Sequence, residues 1–150
     1  MEEGKLLGCI ISKDGICINP ARVEAIQQLD FPRNKKEIQS FNGKINFLRR
    51  FIPNLAEHLK EMTNMLKKES EVKRSLEAKK SFHAVKFALS TPPILISPDY
   101  TLRFIIFSFA SKHTLAIVLM QKRDIKSEQP ISFFSHTIRN ARLRYNIIGK

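Results

Sequence analysis

The chain has 150 residues, of which 43% are hydrophobic, and 26 lysines and arginines against 14 aspartates and glutamates give it a net charge of +12. This length predicts one domain or two small ones, and the apolar fraction excludes an intrinsically disordered chain. No run approaches the roughly 20 apolar residues that span a bilayer, so no membrane segment is expected.

The N-terminal sequence and the number of cysteines indicate the cellular compartment of the protein. The start MEEGK lacks the basic charge of a signal peptide, so we expect an intracellular protein of the cytoplasm or nucleus that is not secreted. Cys9 and Cys17 are too few for a disulfide framework and are expected to be reduced thiols.

The positive charge points to a polyanionic partner, either nucleic acid or an anionic membrane surface. Because the basic residues are spread over several helices and form no single basic amphipathic helix, nucleic acid is favoured. The alternative is that the charge serves only solubility.

The first third of the chain predicts a hairpin followed by helices. The apolar runs KLLGCIIS and ICIN read as two strands within residues 5–19, joined by a turn that contains Asp14-Gly15. Asn19-Pro20 predicts the start of a helix that Pro32 stops. Asn34 with Glu37 resembles a capping box and predicts a helix over 35–51.

Two more helices and a set of strands follow. The third helix begins near Asn54 and has one apolar side, formed by Leu55, Leu59, Met62 and Leu66. Ser75 caps the fourth helix, whose inward residues are predicted to be Leu76, Phe82, Val85 and Leu89. The apolar runs 104–110, 115–121 and 130–135 predict strands covered on both faces, and a helix is expected from Thr137.

These elements predict an α+β fold with an N-terminal β-hairpin (1–19), a helical module (20–90) and a mixed module (91–150). The boundary between the last two is placed near 91–100, where the helical pattern gives way to strands.

Helix 35–51 carries two opposite stripes. Its apolar stripe consists of Ile38, Phe41, Ile45, Leu48 and Ile52. About 180° away lies what we call the polar stripe, which consists of Lys36, Gln39, Gly43, Asn46 and Arg50, and Phe47 lies beside it. A mid-helix glycine costs about 1 kcal/mol relative to alanine, so Gly43 either packs against another backbone or lets a bulky ligand approach. Amides beside a glycine suit a minor groove and cations suit phosphates; the alternative is a solvated face with Gly43 as a helix–helix contact.

The residues from Leu6 to Glu57 resemble the palm-to-thumb segment of gypsy-type (Metaviridae) reverse transcriptases. The family pattern runs F-L-G-h, a Gly turn, a P-x-K/R-V helix, and then P-x-(S/T/N)-x-K-E-(L/I)-x-S-F-L-G-x-x-N-Y-Y-R-R-F-I. The matching positions are Leu7, Gly8, Gly15, Pro20, Val23, Ile26, Pro32, Lys36, Glu37, Ser40, Phe41, Gly43, Asn46, Arg49, Arg50, Phe51 and Ile52. Downstream, residues 66–100, LKKESEVKRSLEAKKSFHAVKFALSTPPILISPDY, resemble the family's connecting segment, and the remainder resembles the opening of its ribonuclease H domain.

The resemblance implies that helix 35–51 is a thumb helix that follows the minor groove of a template–primer duplex. The implied nucleic-acid-binding residues are Lys36, Gln39, Gly43, Asn46, Phe47, Arg49 and Arg50. It also implies that residues 20–90 are a thumb and connection module, and that 91–150 form an incomplete RNase H-like domain of three strands and the start of a helix.

The sequence departs from the family where the nuclease needs its acids. The family's t-D-A-S is Ser108-Phe109-Ala110-Ser111 here, so Phe109 stands at the first metal-binding aspartate. In the pattern Y-s-t-t-E-k-E, which starts at Tyr145 here, the first glutamate is Gly149. Two-metal hydrolysis needs several converging carboxylates, so we expect no catalytic residue, no metal and no cofactor in this chain, with Mg²⁺ only in an intact family member.

The resulting expectation is a catalytically inactive piece of a retrotransposon polyprotein that retains sequence-independent binding to RNA–DNA or DNA duplexes. The alternatives are an excerpt of an active RNA-directed DNA polymerase and ribonuclease H, and a domesticated basic interaction module. The open edge of strand 104–110 is a further expectation, because an apolar unpaired strand invites self-association.

Overall fold

The computed structural model describes residues 4–67, 69–125 and 127–138. In chain order the elements are strands β1 (Gly4–Leu6), β2 (Cys9–Ser12) and β3 (Gly15–Ile18), helices α1 (Pro20–Gln27) and α2 (Lys35–Asn46), a 3₁₀ turn (Arg49–Phe51), helices α3 (Leu55–His58), α4 (Lys60–Asn64) and α5 (Leu76–Ser90), and strands β4 (Phe104–Ala110), β5 (Thr114–Asp124) and β6 (Ser127–Thr137). The α+β class is confirmed, with two three-stranded antiparallel sheets on either side of the helices in sequence.

The N-terminal sheet has one strand more than the predicted hairpin. The run KLLGCIIS was expected to form one strand, which is wrong, because the chain reverses at Leu7-Gly8, where φ is 49° and 80°. Glycine adopts such positive values at no steric cost, so Gly8 permits the tight turn. The sheet order is β1-β2-β3, with Cys9 opposite Ile18.

The predicted caps are confirmed at three helices. The side chain of Asn19 accepts from the backbone N–H of Ala21 at 3.1 Å, and that of Ser75 accepts from Ala78 at 3.1 Å. At α2 the backbone N–H of Glu37 donates to Asn34 at 2.9 Å. The Glu37 carboxylate in turn accepts from the backbone of Arg33 at 2.7 Å, which completes a reciprocal cap.

Helix α2 is shorter than the predicted 35–51, since it ends at Asn46. Beyond it the backbone bonds reach back three residues, with Leu48 N–H donating to Ile45 at 2.9 Å and Phe51 N–H donating to Leu48 at 3.0 Å. This tighter winding turns both Leu48 and Phe51 into the core, where each is 0% exposed.

The third predicted helix is interrupted at Leu59 and forms α3 and α4. Leu55, Leu59 and Met62 are nevertheless buried, as predicted. In α5 the predicted burial of Leu76 is wrong: the side chain is 63% exposed. At 100° per residue it lies about 180° from the buried Val85, so the helix turns it outward.

The hydrophobic core is built mainly from the helices. Phe82 of α5 contacts Phe31 and Phe41 with ring centroids 5.5 and 5.0 Å apart. Lys86 of α5 donates to the backbone of Gln27 at 2.9 Å and so holds the end of α1 against α5. None of the helices within the described ranges has the length and apolar character needed to cross a bilayer.

The second sheet has the order β4-β5-β6, and its strands include all three predicted runs. Within the described residues β4 pairs only with β5, so its other edge is open. The expectation of strands covered on both faces is wrong for β4, where every residue except Ile105 is exposed. The self-association expected from this edge stays a prediction, and the helix expected from Thr137 falls mainly outside the described residues.

The connector between α5 and β4 links the two sheets. Leu95 pairs with Ile16 of β3, with backbone bonds of 2.6 and 2.9 Å, and Ile96 N–H donates to Pro130 of β6 at 2.9 Å. The fully buried Gln121 of β5 donates to the carbonyl of Asp99 at 2.7 Å and accepts from its N–H at 2.9 Å. The predicted domain boundary near 91–100 falls in this connector and stays a prediction.

We expect Ile45→Ala to destabilise the protein by about 2–5 kcal/mol, because it leaves a cavity at a position that is 0% exposed. Urea denaturation monitored by circular dichroism measures the change. The matched control is Ile125→Ala, at a side chain 93% exposed, which should change stability by less than about 0.5 kcal/mol. Equal losses for the two variants would contradict the assignment of α2 to the core.

Candidate nucleic-acid interface

Helix α2 turns its two stripes to opposite environments. On the inner side Ile38, Ile45 and Leu48 are 0% exposed. The residues of the polar stripe are exposed without exception: Lys36, Gln39, Gly43, Asn46 and Arg50. The polar stripe is therefore a solvent-facing surface whose orientation is fixed by the burial behind it.

Gly43 lies in the open centre of the polar stripe. A Cβ built at this position meets no heavy atom within 4 Å. The alternative that Gly43 makes a helix–helix contact is therefore wrong for the described structure. The absence of a side chain leaves a flat patch on α2 at a cost of about 1 kcal/mol in helix propensity.

Phe47 lies beside this patch and is 42% exposed. The Arg22 guanidinium of α1 stacks on its ring, with Cζ 4.3 Å from the ring centroid. This contact orients both side chains. Arg22 was not among the predicted site residues; the signal that could have found it is the basic position of the P-x-K/R-V pattern.

Arg22 also contacts the Leu7-Gly8 turn, because a Cβ at Gly8 would overlap its guanidinium Nη1. Arg22 and Arg50 both lie close enough to Cys9 to act on its thiol. Burial raises the pKa of Cys9, and the positive charges of Arg50 and then Arg22 oppose that rise. The N-terminal sheet, α1 and the end of α2 thus bring two guanidinium groups to one region.

Arg49 is turned away from the polar stripe towards the second sheet. Its Nη2 donates to the carbonyl of Ser135 at 2.8 Å, and its Cζ lies 5.6 Å from the ring centroid of Phe134. In the same contact between the helices and β6, Ser135 Oγ accepts from the backbone N–H of Ala56 at 2.9 Å. The structure therefore brings Arg49 into the contact between the helices and β6, apart from the other predicted binding residues.

Phe109 is 63% exposed near the end of β4. Its register partner on β5 is Ala116, which in turn pairs with Ser135 of β6, so these three side chains share one face of the sheet. None of them can ligate a hard cation through a carboxylate. The carboxylate that the hydrogen bonds bring to this end of the sheet is Glu57 of α3, whose Oε2 accepts from Thr114 Oγ1 at 2.9 Å.

The acids that follow residue 90 lie far from Phe109. Asp99 is bonded to Gln121, five residues along β5 from Ala116, which corresponds to about 17 Å at the rise of a strand. Asp124 is eight residues from Ala116, or about 26 Å, and Glu128 of β6 pairs with Lys122, six residues from Ala116, or about 20 Å. Hydrogen bonds from Thr101 lower the pKa of Asp99. Within the described part of the chain, no group of three His, Cys, Asp or Glu side chains is placed to hold a metal ion.

Arg49 and Arg50 should respond differently to substitution. We expect Arg49→Met to lower stability by about 1–3 kcal/mol, because it removes the partner of the Ser135 carbonyl at a half-buried joint. Arg50→Met is the matched control and should change stability by less than about 0.5 kcal/mol, because Arg50 is exposed. Urea denaturation measures both, and a larger loss for Arg50→Met would refute this separation.

The sequence profile of the family described as "RNase H-like domain found in reverse transcriptase" matches residues 75–150. The chain is 37% identical over 150 residues to the retrovirus-related Pol polyprotein from transposon 297 of Drosophila melanogaster, with 99% of this chain and 14% of the relative covered. It is 29% identical over 146 residues to the transposon Tf2-3 polyprotein of Schizosaccharomyces pombe, covering 97% of this chain and 11% of the relative. The chain thus spans less than a sixth of either relative.

Two solved structures of foamy viral protease–reverse transcriptase are similar to nearly the whole chain. One, of the dRH form in complex with double-stranded DNA, matches with a TM-score of 0.84 and 27% identity over 99% of this chain and 26% of that one. Another, in complex with an RNA/DNA hybrid, matches with a TM-score of 0.83 and 26% identity over 97% of this chain and 20% of that one. The resemblance to gypsy-type retrotransposon reverse transcriptases is confirmed, and the chain belongs to the family of RNase H-like domains found in reverse transcriptases.

Proposed function

We propose that this chain binds nucleic-acid duplexes, RNA–DNA or DNA, without sequence preference through the polar stripe of α2 and Phe47. The observation that carries the proposal is the open Gly43 at the centre of the exposed stripe. A backbone without a side chain, flanked by amides and cations, allows a minor-groove edge to approach closely while the cations reach phosphates.

Two further observations support this proposal. The net charge of +12 favours a polyanion and supplies the long-range attraction. Foamy viral protease–reverse transcriptases, whose solved structures match 97–99% of this chain, have been captured with double-stranded DNA and with an RNA/DNA hybrid. Of the predicted residues, Lys36, Gln39, Asn46 and Arg50 are available on the open surface, whereas Arg49 is engaged at the joint with β6.

The test of binding is fluorescence anisotropy with a labelled RNA–DNA hybrid and two DNA duplexes of unrelated sequence. We expect similar affinities for the two DNA sequences and a linear fall of log affinity with log salt concentration. Gly43→Leu should weaken binding at least about tenfold, because the leucine occupies the space that the duplex needs. Since nothing lies within 4 Å of a Cβ there, the fold should tolerate the change.

The matched control is His83→Leu, which adds a leucine at an exposed position of α5 outside the polar stripe. It should leave the affinity unchanged. Equal affinities for wild type, Gly43→Leu and His83→Leu would reject the polar stripe as the binding surface. No salt-dependent binding by the wild-type chain would reject the proposed function itself.

We also propose that the chain does not hydrolyse RNA–DNA hybrids. The supporting observation is that the strand positions beside Asp99, Asp124 and Glu128 lie about 17 Å or more along β5 from Ala116, the register partner of Phe109, while Glu57 already accepts from Thr114. A labelled hybrid incubated with millimolar Mg²⁺ or Mn²⁺ should stay intact. An active ribonuclease H is the positive control, and cleavage above the protein-free background that EDTA abolishes would overturn this part of the proposal.

A further inference from the structure

A groove between α1 and α2 lies beside the polar stripe and is not part of it. It has a volume of about 210 Å³ and is lined by Arg22, Ala25, Ile26 and Lys44. Arg22 and Ala25 are three residues apart and therefore lie on one side of α1. The groove combines small apolar side chains with one cation from each helix.

Helical geometry connects this groove to the binding surface. Lys44 and Phe47 are three residues apart on α2 and are neighbours on its surface. Arg22 both lines the groove and stacks on Phe47, with its Cζ 4.3 Å from the ring centroid. Phe47 therefore adjoins residues of the groove as well as the polar stripe, so the two surfaces are neighbours.

The Arg22 guanidinium is held in place from two directions. The Phe47 ring lies under it, and the Leu7-Gly8 turn leaves room for it, since a Cβ at Gly8 would overlap Nη1. Its position is thus fixed before any ligand binds, which lowers the entropy that binding would otherwise cost. A planar guanidinium presents several N–H donors in a geometry that suits phosphate oxygens.

We propose that this groove is a subsite for one sugar–phosphate unit of the bound duplex. The pentose packs on the exposed Ala25, above the buried Ile26, and the phosphate is held between the guanidinium of Arg22 and the ammonium of Lys44. This inference rests on the proposed function, because it assigns the path of one strand beyond the polar stripe. It adds Arg22 and Lys44 to the binding residues.

The experiment measures the salt dependence of duplex binding by the full chain. Removing one phosphate contact lowers the slope of log affinity against log salt by about one unit. The double variant Arg22→Met/Lys44→Met, which keeps an unbranched apolar stem at both positions, should show this decrease. Arg22→Lys retains the charge and should keep most of the slope. The control pair Lys79→Met/Lys80→Met removes two exposed cations from α5 and should leave the slope unchanged.

A second measurement identifies the phosphate. Single neutral methylphosphonates are placed in turn along each strand of the duplex. At one position the methylphosphonate should lower the affinity of the wild-type chain for the duplex. The same methylphosphonate should leave the affinity of the Arg22→Met/Lys44→Met variant unchanged, because that variant has already lost the contact with this phosphate. If thermal denaturation shows that Arg22→Met disturbs the fold, Lys44→Met alone serves for both measurements, because Lys44 is exposed.

The outcomes separate the two proposals. The groove is not a subsite if two results are found together. The groove variants change the slope no more than the control pair does, and every methylphosphonate lowers the affinity of wild type and of the double variant equally. The proposed function would still stand in that case, provided that wild type binds with a salt-dependent affinity that Gly43→Leu weakens. If the wild-type chain does not bind duplexes, both proposals fail together.

Discussion

Helix α2 and the turn that follows it bury Ile38, Ile45 and Leu48 completely, and this burial determines what the rest of the segment presents to solvent. Each of these side chains contributes roughly 1.5–3 kcal/mol by leaving water, so a rotation that turned all three outward would cost about 4.5–9 kcal/mol, which is comparable to the whole stability margin of many domains. Phe41 adds a ring contact to Phe82 of α5 at 5.0 Å, which fixes the helix against its neighbour. The polar stripe is therefore held outward by forces that act on the opposite side of the helix.

The same core brings distant segments to the candidate interface. Ile18 of β3 and Ile26 of α1 belong to the cluster that α2 completes, so the N-terminal sheet and the first helix are packed beside it. This packing allows Arg22 to stack on Phe47 and to fill the space above Gly8. The sequence predicted a binding surface on α2 alone. The structure places beside it a groove that is lined by residues of both α1 and α2.

The second sheet is joined to the helices by polar contacts at one end and leaves much of β4 exposed. Arg49 and Thr114 bond across this joint to Ser135 and Glu57. Phe107 and Phe109 are 49% and 63% exposed, and the outer edge of β4 has no partner strand among the described residues. Apolar side chains on such an edge strand favour association with other chains. Phe109 thus adds to the apolar surface of the sheet at the position where the family resemblance predicts an acid.

The sequence alone determined the caps at Asn19, Asn34 and Ser75, the three strands of the second sheet and the two opposite stripes of α2. These features follow from local spacing and from hydrogen bonds between near neighbours in the chain, so a linear pattern contains them. Only the tertiary structure decided the extra N-terminal strand, the diversion of Arg49 to β6 and the placement of Arg22 on Phe47. The extra strand arises from the positive-φ turn at Leu7-Gly8, inside a run whose continuous apolar pattern favoured one strand. The contacts of Arg49 and Arg22 join segments far apart in sequence, and such contacts are set by how the helices and sheets pack, which no local pattern encodes.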